Sequence, residues 1–403
     1  MSDRMTRIGF AYNQKPDDEE ARTGDDEPRA DEEPPSSSRA LRSRISVAPR
    51  IAGAIQASPD TSPRNDTDDE FAEWDSSETI AAVEHALSGL GEVVRLEANA
   101  DFPEQLRAER PDIVFNMAEG LRGVNRESHV PAMCEFFGVP YSGSDPFTLS
   151  LCLDKARTKE CLAYHGIPTA PFRVLHDAST HPGALEFPVF VKPVHEGSSK
   201  GITERNYCRT PTELRDQVAF LLDRYRQPVL IEEFLTGAEF TCAVLGNGAE
   251  AQVLPIVGMN FDVLPSGSLP VYGFEAKWLW DRPDEPLQIF ECPARIDEAL
   301  RDTIERVVLA AYHALGCRDW SRIDVRLDAA GVPNVVEVNP LPGILPNPAE
   351  NSCFPKAARA AGMSYDELIQ ACVRHAADRQ GVALPSITAR ERRMSVARAV
   401  ASS

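Results

Sequence analysis

Two runs near the C-terminal end constrain this chain most: Ser321-Arg322-Ile323-Asp324-Val325-Arg326-Leu327 and Pro333-Asn334-Val335-Val336-Glu337-Val338-Asn339, separated by Asp328-Ala329-Ala330-Gly331. β-Branched residues alternating around a turn, with Gly where a positive φ is wanted, spell an antiparallel hairpin. Alternation sends Ile323, Val325 and Leu327 to one face and Arg322, Asp324 and Arg326 to the other. On the second strand it groups Val335, Glu337 and Asn339 opposite Val336 and Val338. With the turn centred near residue 330, Asp324 lies across from Glu337 and Arg322 across from Asn339. Two carboxylates, an amide oxygen and a guanidinium then share one polar patch, a hard-oxygen set that suits Mg²⁺ bound together with substrate phosphates. A solvent-facing edge with alternating charge fits these residues equally well.

The remaining grammar is α/β. Arg7–Tyr12 reads as a buried strand, Asp75-Ser76-Ser77-Glu78 as a capping box before a helix carrying Ile80, Val83, Leu87 and Leu90, Val93–Leu96 and Asp112–Phe115 as short strands, and 102–110 as a helix. This is an open, largely parallel α/β domain over residues 1–146. From about 187 the pattern changes to strands that need antiparallel partners: Phe187–Val194, Val229–Phe234, Glu239–Leu245 and Ala251–Val257. An amphipathic helix follows at 296–315, ended by Gly316. The expected division is 1–146, 147–236 and 237–380, with a loose tail at 381–403.

Charge is distributed unevenly. The chain has 403 residues and a formal net charge of -20, of which residues 17–75 supply 17 Asp/Glu against 7 Arg, a net of -10. That stretch holds six prolines and no aromatic residue before Phe71, so it cannot bury enough apolar surface to offset its ordering entropy. Residues 15–70 therefore read as a disordered acidic insertion. So acidic a chain disfavours nucleic acid as a partner. The sequence contains no apolar run long enough to span a bilayer and no signal-peptide core at the start, which gives the cytoplasm as the expected location and no membrane as a partner. Nine scattered cysteines without a C-x-x-C spacing read as reduced core residues.

Two further segments bear on chemistry. Val191-Lys192-Pro193-Val194-His195-Glu196-Gly197-Ser198-Ser199-Lys200-Gly201 runs a strand into a Gly/Ser loop whose N–H groups and hydroxyls can close over phosphate oxygens beside Lys192, although it lacks the P-loop spacing. Leu230-Ile231-Glu232-Glu233-Phe234-Leu235-Thr236-Gly237-Ala238-Glu239 is an apolar strand broken by carboxylates, a composition suited to a nucleotide's base edge and ribose.

In order along the chain these segments resemble the ATP-grasp superfamily and, within it, the D-alanine:D-alanine ligases. The resemblance covers about 112–380 and includes Phe115-Asn116-Met117, Tyr141-Ser142-Gly143-Ser144, Leu153-Asp154-Lys155-Ala156-Arg157-Thr158-Lys159, Glu275-Ala276-Lys277, Arg322–Val325, Glu337-Val338-Asn339-Pro340, Pro342-Gly343 and Ala357–Ser364. It implies an N-terminal sheet domain and two domains that clasp ATP between antiparallel sheets. It also implies a ligase that forms an acyl phosphate and then an amide, with two Mg²⁺ ions (or Mn²⁺), amino-acid substrates and a homodimer. By the resemblance, Lys155 and Lys192 meet the ATP phosphates under a lid containing Glu196, Gly197, Ser198 and Ser199. Glu232, Glu233 and Leu235 line the adenine slot and Glu239 binds the ribose. Asp324, Glu337 and Asn339 hold the metal. Arg322, Lys277 and Ser198 are the catalytic group, and Gly343 and Ser352 meet the second amino acid. The lid at 195–201 and an ω-type loop at 262–278 exclude water.

The first-substrate half departs from the family. The Gly-Gly-x-Ser-x-Glu pattern after the first strand is absent, leaving Glu73, Asp75 and Ser76 as the nearest substitutes. Glu119 stands where the family has His, before a lengthened loop to His129; Trp278 follows Lys277, and Ile344–Asn351 is longer than usual. Glu119 is the expected replacement for the ammonium-binding carboxylate. The leading expectation is D-alanyl-D-alanine formation. The alternatives are ligation of another amino acid or amine and a non-catalytic nucleotide-binding adaptor; an adaptor would be expected to lose some of Lys155, Lys192, Arg322, Asp324, Glu337 and Asn339, and all six are present.

Overall fold

The computed structural model describes residues 5–16, 73–181, 183–265, 268–273 and 287–385. The expected acidic insertion, Lys277 with its neighbours Glu275, Ala276 and Trp278, and most of the expected tail lie outside the described residues.

The chain begins with β1 (Arg7–Tyr12), α1 (Ser77–Ser88), β2 (Glu92–Glu97), α2 (Phe102–Glu109), β3 (Ile113–Asn116) and α3 (His129–Phe137). The three strands form a parallel sheet in the order β2-β1-β3, with Ile8 beside both Val93 and Ile113. The α1 cap differs from the expected box. Ser76 is the cap and accepts from Thr79 N at 3.2 Å, whereas Asp75 is drawn into backbone pairing, its N–H donating to Asn13 O at 3.1 Å and its carbonyl accepting from Lys15 N at 2.8 Å. Competition from the extended segment moves the cap one residue on.

Next come α4 (Pro146–Leu153), α5 (Lys155–Tyr164), β4 (Phe172–Leu175), β5 (Val189–Pro193), β6 (Tyr207–Cys208), α6 (Pro211–Tyr225) and β7 (Val229–Glu233), whose strands form an antiparallel sheet ordered β4-β7-β5-β6. Helix α6 has a complete capping box, Thr210 with Glu213, and lays Leu214, Val218 and Leu221 on Val189, Val191, Val229 and Ile231.

The rest comprises β8 (Glu239–Leu245), β9 (Gln252–Val253), β10 (Val257–Met259), β11 (Phe290–Glu291), α7 (Glu298–Ala314), β12 (Trp320–Leu327), β13 (Pro333–Asn339), α8 (Cys353–Ala360) and α9 (Tyr365–Gln380). The antiparallel sheet runs β11-β10-β8-β12-β13, with β9 also on β8. The single strand expected over Ala251–Val257 is thus two short ones, because Pro255 lacks the N–H that a continuous ladder needs. Helix α7, capped by Asp297, packs Ile304, Val308, Ala311 and Tyr312 against Phe240, Cys242, Ile323 and Val325. All nine cysteines are free thiols.

A second core joins the N-terminal sheet to the C-terminal helices. The fully buried Trp320 stacks on Phe115 at 5.8 Å between ring centres and meets Phe354 edge-on at 5.5 Å. Beside it, Asp319, also fully buried, accepts from Gly143 N (2.9 Å), Asn247 Nδ2 (2.8 Å) and Arg379 Nη2 (2.8 Å). One carboxylate thereby ties three distant segments. Removing it strands Arg379, so Asp319→Ala is expected to cost about 3–5 kcal/mol in urea unfolding. Arg95→Met, which breaks a solvent-exposed pair with Glu84, is expected to cost less than about 1 kcal/mol. Equal costs would contradict this reading of Asp319.

Candidate active site

Asp154 caps α5, accepting from Ala156 N (3.0 Å) and Arg157 N (2.9 Å), and so fixes Lys155 at the first turn and Lys159 one turn later on the same helix face. Lys155 Nζ lies 2.8 Å from Glu337 on β13 and also donates to the Glu196 carbonyl of the lid. Lys159 and Lys192 grip the two oxygens of Glu232 at 2.7 and 2.6 Å. Burial alone would raise the Glu232 carboxyl, but attraction and hydrogen bonds from Lys159 and Lys192 outweigh it and hold the group at about 2. Glu337 is likewise at about 2, burial being outweighed first by Lys155 and then by Lys192. Burial lowers Lys159 despite Glu232, whereas Lys192 is raised because Glu232 and Glu337 together outweigh its burial.

The hairpin brings Arg322 opposite Asn339 and Asp324 opposite Glu337, as the spacing predicts. The facing is corrected in one respect. A β-bulge follows Asp324, so that Val325 pairs with Val335 and Val336 is the extra residue. Val335 and Val338 both turn into the core, and Val335 does not share a simple alternating face with Glu337 and Asn339. Arg322 binds Asp324 through Nε (3.2 Å) and Nη2 (3.0 Å), Thr241 Oγ1 donates to Asp324 at 2.9 Å, and Asn339 Nδ2 lies 3.4 Å from it.

Beside this cluster is a cavity, open to solvent, lined among others by Lys192, Glu232, Glu233, Leu235, Glu239 and Val336. The four slot residues expected from sequence therefore share one pocket. Glu232 spends its carboxylate on the two lysines, Glu233 accepts from Glu186 N at 3.0 Å, and Glu239 pairs with Arg326 at 2.8 Å. Burial raises Glu239, with Arg326 acting in the opposite direction.

The loop over 195–201, the expected lid, places Ser198 and Ser199 at φ 50° and 60°, a left-handed pair costing about 1–3 kcal/mol per residue. Ser199 Oγ donates to Tyr272 O at 3.2 Å, and Glu196 accepts from Gln227 Nε2 at 2.7 Å. Glu73 pins this loop from the N-terminal side. Its carboxylate takes Arg126 Nη2 on both oxygens (3.1 and 3.0 Å) and Lys200 Nζ at 3.1 Å, while Arg126 Nη1 donates to His195 O at 3.1 Å. Gly197 packs so closely on Glu73 that a side chain there would collide with the carboxylate.

Next to this hub are Asp75, Glu119 and Glu127, all half-buried, whose carboxyls make no hydrogen bond or ion pair among the described residues. Burial pushes Asp75 up to about 7. Burial also pushes Glu127 up to about 7, with Arg126 opposing and Glu73 reinforcing. Glu119 is raised well above the ordinary range by burial and then by Glu127 and Glu73. Ser352, buried before α8, donates to Gly343 O and accepts from Leu345 N, both at 3.2 Å, so the two expected second-substrate residues are in contact.

Sequence reading missed Lys159, although its spacing from Lys155 was the available signal, and Thr241 and Arg326, which announce themselves only once β8 is paired with β12. Arg126 and Lys200 lie in loops whose approach no local pattern encodes.

Three sheets with a lysine-rich cleft between the two antiparallel ones, facing an acid- and Arg-bearing hairpin, define an ATP-grasp ligase. Residues 161–374 match the family described as D-ala D-ala ligase C-terminus. The chain is 37% identical over 276 residues to a D-alanine--D-alanine ligase of Bordetella petrii, covering 68% of this chain and 78% of that protein. It is 36% identical over 296 residues to one from Actinobacillus pleuropneumoniae (72% and 89%), and 37% identical over 267 residues to an uncharacterized protein, y4sG, of Sinorhizobium fredii (66% and 75%). A D-alanine--D-alanine ligase from Bacillus anthracis, complexed with ATP, shares the fold at TM-score 0.62 and 20% identity, over 93% of this chain and 99% of that one. The chain belongs to the D-alanine–D-alanine ligase family and is an ATP-using carbon–nitrogen ligase. No helix among the described residues is long and apolar enough to cross a membrane.

The Glu232 value fixes a pH dependence. A carboxyl held near 2 against 4.5 contributes stability that is complete above the ordinary range and lost as pH falls toward 2. Glu232→Gln is therefore expected to lower stability at pH 7 and to flatten acid unfolding between 4.5 and 2; an unchanged acid limb would refute the assignment. Glu73→Gln releases the lid's anchor, and ADP release unaccompanied by amide product is expected to rise several-fold as water reaches the reactive intermediate. A constant ratio of ADP to product would show that Glu73 does not hold the lid.

Proposed function

We propose that the chain joins two D-alanine molecules, or closely related amino acids, with one ATP consumed per bond. The first carboxylate takes the γ-phosphoryl group to give an acyl phosphate and ADP; the second amine then attacks the acyl carbon, phosphate departs, and the amine loses a proton. The convergence of Lys155, Lys192, Arg322, Asp324, Glu337 and Asn339 in one cleft supports this reading best.

The site residues divide the work as follows. Lys155 and Lys192, already held against carboxylates, offset the charge of the incoming polyphosphate. Arg322 stabilises the oxyanion of the tetrahedral intermediate. Glu233 and Leu235 border the base, Glu239 takes the ribose hydroxyls, and the lid residues Gly197, Ser198 and Ser199 cover the phosphates, with Lys277 as a further phosphate contact. Gly343 and Ser352 face the carboxylate of the second amino acid.

Asp324, Glu337 and Asn339 would hold Mg²⁺. Among the described residues no three His, Cys, Asp or Glu side chains form a closed metal cage. Two carboxylates and one amide oxygen instead make an open, all-oxygen set, which fits an ion that completes its shell with water and phosphate. Bound there, Mg²⁺ supplies charge neutralisation at the phosphoryl group.

For the first amino acid, Glu73 is already committed to Arg126 and Lys200, which leaves Glu119 as the better ammonium partner. One observation favours a second reading, an amino acid other than D-alanine: Glu119 has both Glu127 and Asp75 near enough to act on its carboxyl, more acid groups than a single ammonium needs. ADP release with Mg²⁺ and ATP across D- and L-amino acids, with mass spectrometry of the products, separates the two. D-Alanyl-D-alanine as the main product supports the first, turnover only with another pair supports the second, and silence across the panel sinks both. Glu119→Gln is expected to raise KM for the first amino acid by roughly tenfold or more, the loss of one charged hydrogen bond. An unchanged KM would remove Glu119 from the ammonium site.

A further inference from the structure

The nucleotide cavity contains a charged residue that the proposed reaction does not use. Arg326 lies on β12 directly opposite Glu239 on β8 and is only 5% exposed. Its Nη1 donates to Glu239 Oε2 at 2.8 Å and to Pro270 O at 2.9 Å. Its guanidinium sits 4.7 Å from the Phe234 ring centre and 5.5 Å from that of Phe261, and its Nε is buried without a partner. Arg326, Glu239, Phe234 and Val271 all line the cavity.

Such an arrangement is costly if it serves only packing. Two charges taken out of water, with one donor left unpaired, are generally no more stabilising than apolar residues of similar volume. What an apolar residue cannot do is orient a carboxylate. Glu239 projects from the sheet toward the pocket, and Arg326 fixes which oxygen is spent on the protein and which is left for a ligand. The bond to Pro270 carries the same anchoring outward, since Val271 walls the cavity and the Tyr272 carbonyl accepts from Ser199 of the lid.

We infer that Arg326 is a positioning residue for nucleotide recognition: it sets Glu239 against the ribose hydroxyls and ties the 268–273 segment to the occupied pocket. The inference rests on the nucleotide reading of this cavity. It makes discrimination for the ribose 2′-hydroxyl depend on a residue that need not touch the nucleotide.

The test compares ATP with 2′-deoxy-ATP, by calorimetric binding to the full chain with Mg²⁺ and no amino acid, in wild type, Arg326→Met and Arg326→Lys. Wild type is expected to prefer ATP by roughly tenfold, one charged hydrogen bond's worth. Arg326→Met is expected to shrink that preference below about twofold, with Arg326→Lys intermediate because it keeps the charge without the planar fork. Equal weakening of both nucleotides, with the preference intact, would reduce Arg326 to packing and overturn the inference, as would a wild type without preference. Should Arg326→Met fail to fold, Arg326→Lys decides alone: a preference as large as that of the wild type overturns the inference. Failure of wild type to bind ATP at all would instead count against the nucleotide reading of the cavity.

Discussion

Lys155, Lys159, Lys192 and Arg322 are each held by a carboxylate, and the rest of the cleft depends on this pairing. Lys155 reaches from α5 to Glu337 on β13, Lys192 and Lys159 converge on Glu232 of β7, and Arg322 turns onto Asp324 two residues along its own strand. Buried cations without counter-ions would cost several kcal/mol each, so the fold could not hold them in advance of a nucleotide. Paired, they are set in place at little net cost. A polyphosphate can exchange partners with them instead of having to organise them. The Lys155–Glu337 contact also joins the helix leading into the central sheet to the C-terminal sheet, so the clasp and the charge balance of the site are one interaction.

This pairing explains which parts were legible in the sequence. The hairpin was readable because both of its strands and its turn are local, and the partners Asp324–Glu337 and Arg322–Asn339 follow from counting. The lysines were readable as positions but not as a network. Lys159 acquires its meaning only when Glu232 comes within 2.7 Å, and Glu232, expected to line the adenine slot, also binds two lysines with its carboxylate. Arg326 looked like one more polar residue on an alternating strand until β8 placed Glu239 opposite it. Charge pairing across strands far apart in sequence leaves no trace in either strand alone.

The corner around Glu73 shows the same limit more sharply. Glu73 and Arg126 are separated by 53 positions and Glu73 and Lys200 by 127, yet one carboxylate holds both cations and presses on Gly197. What brings Glu73 there is backbone: Asp75, two residues on, is bonded to Asn13 and Lys15 at the end of β1. A segment that follows a long acidic stretch is thus returned to the point where the first strand ends. Without the Gly-Gly-x-Ser-x-Glu pattern, this corner still holds Glu73, Asp75, Glu119 and Glu127.

The bulge at Val336 gives the hairpin its dual character. In a regular ladder, Val335, Glu337 and Asn339 would all point the same way, and the strand could bury Val335 only by burying Glu337 and Asn339 with it. One extra residue breaks that link. Val335 and Val338 join the core under α7 while Glu337 and Asn339 stay in the cleft, and Val336 lines the cavity beside Val335. Bulges commonly re-aim side chains beside active sites at the expense of ladder hydrogen bonds. Here the cost is limited because the register on the Arg322 side of the bulge is intact, so the opposition of Asp324 and Glu337 is set by regular pairing, and the irregularity falls where only packing has to adjust.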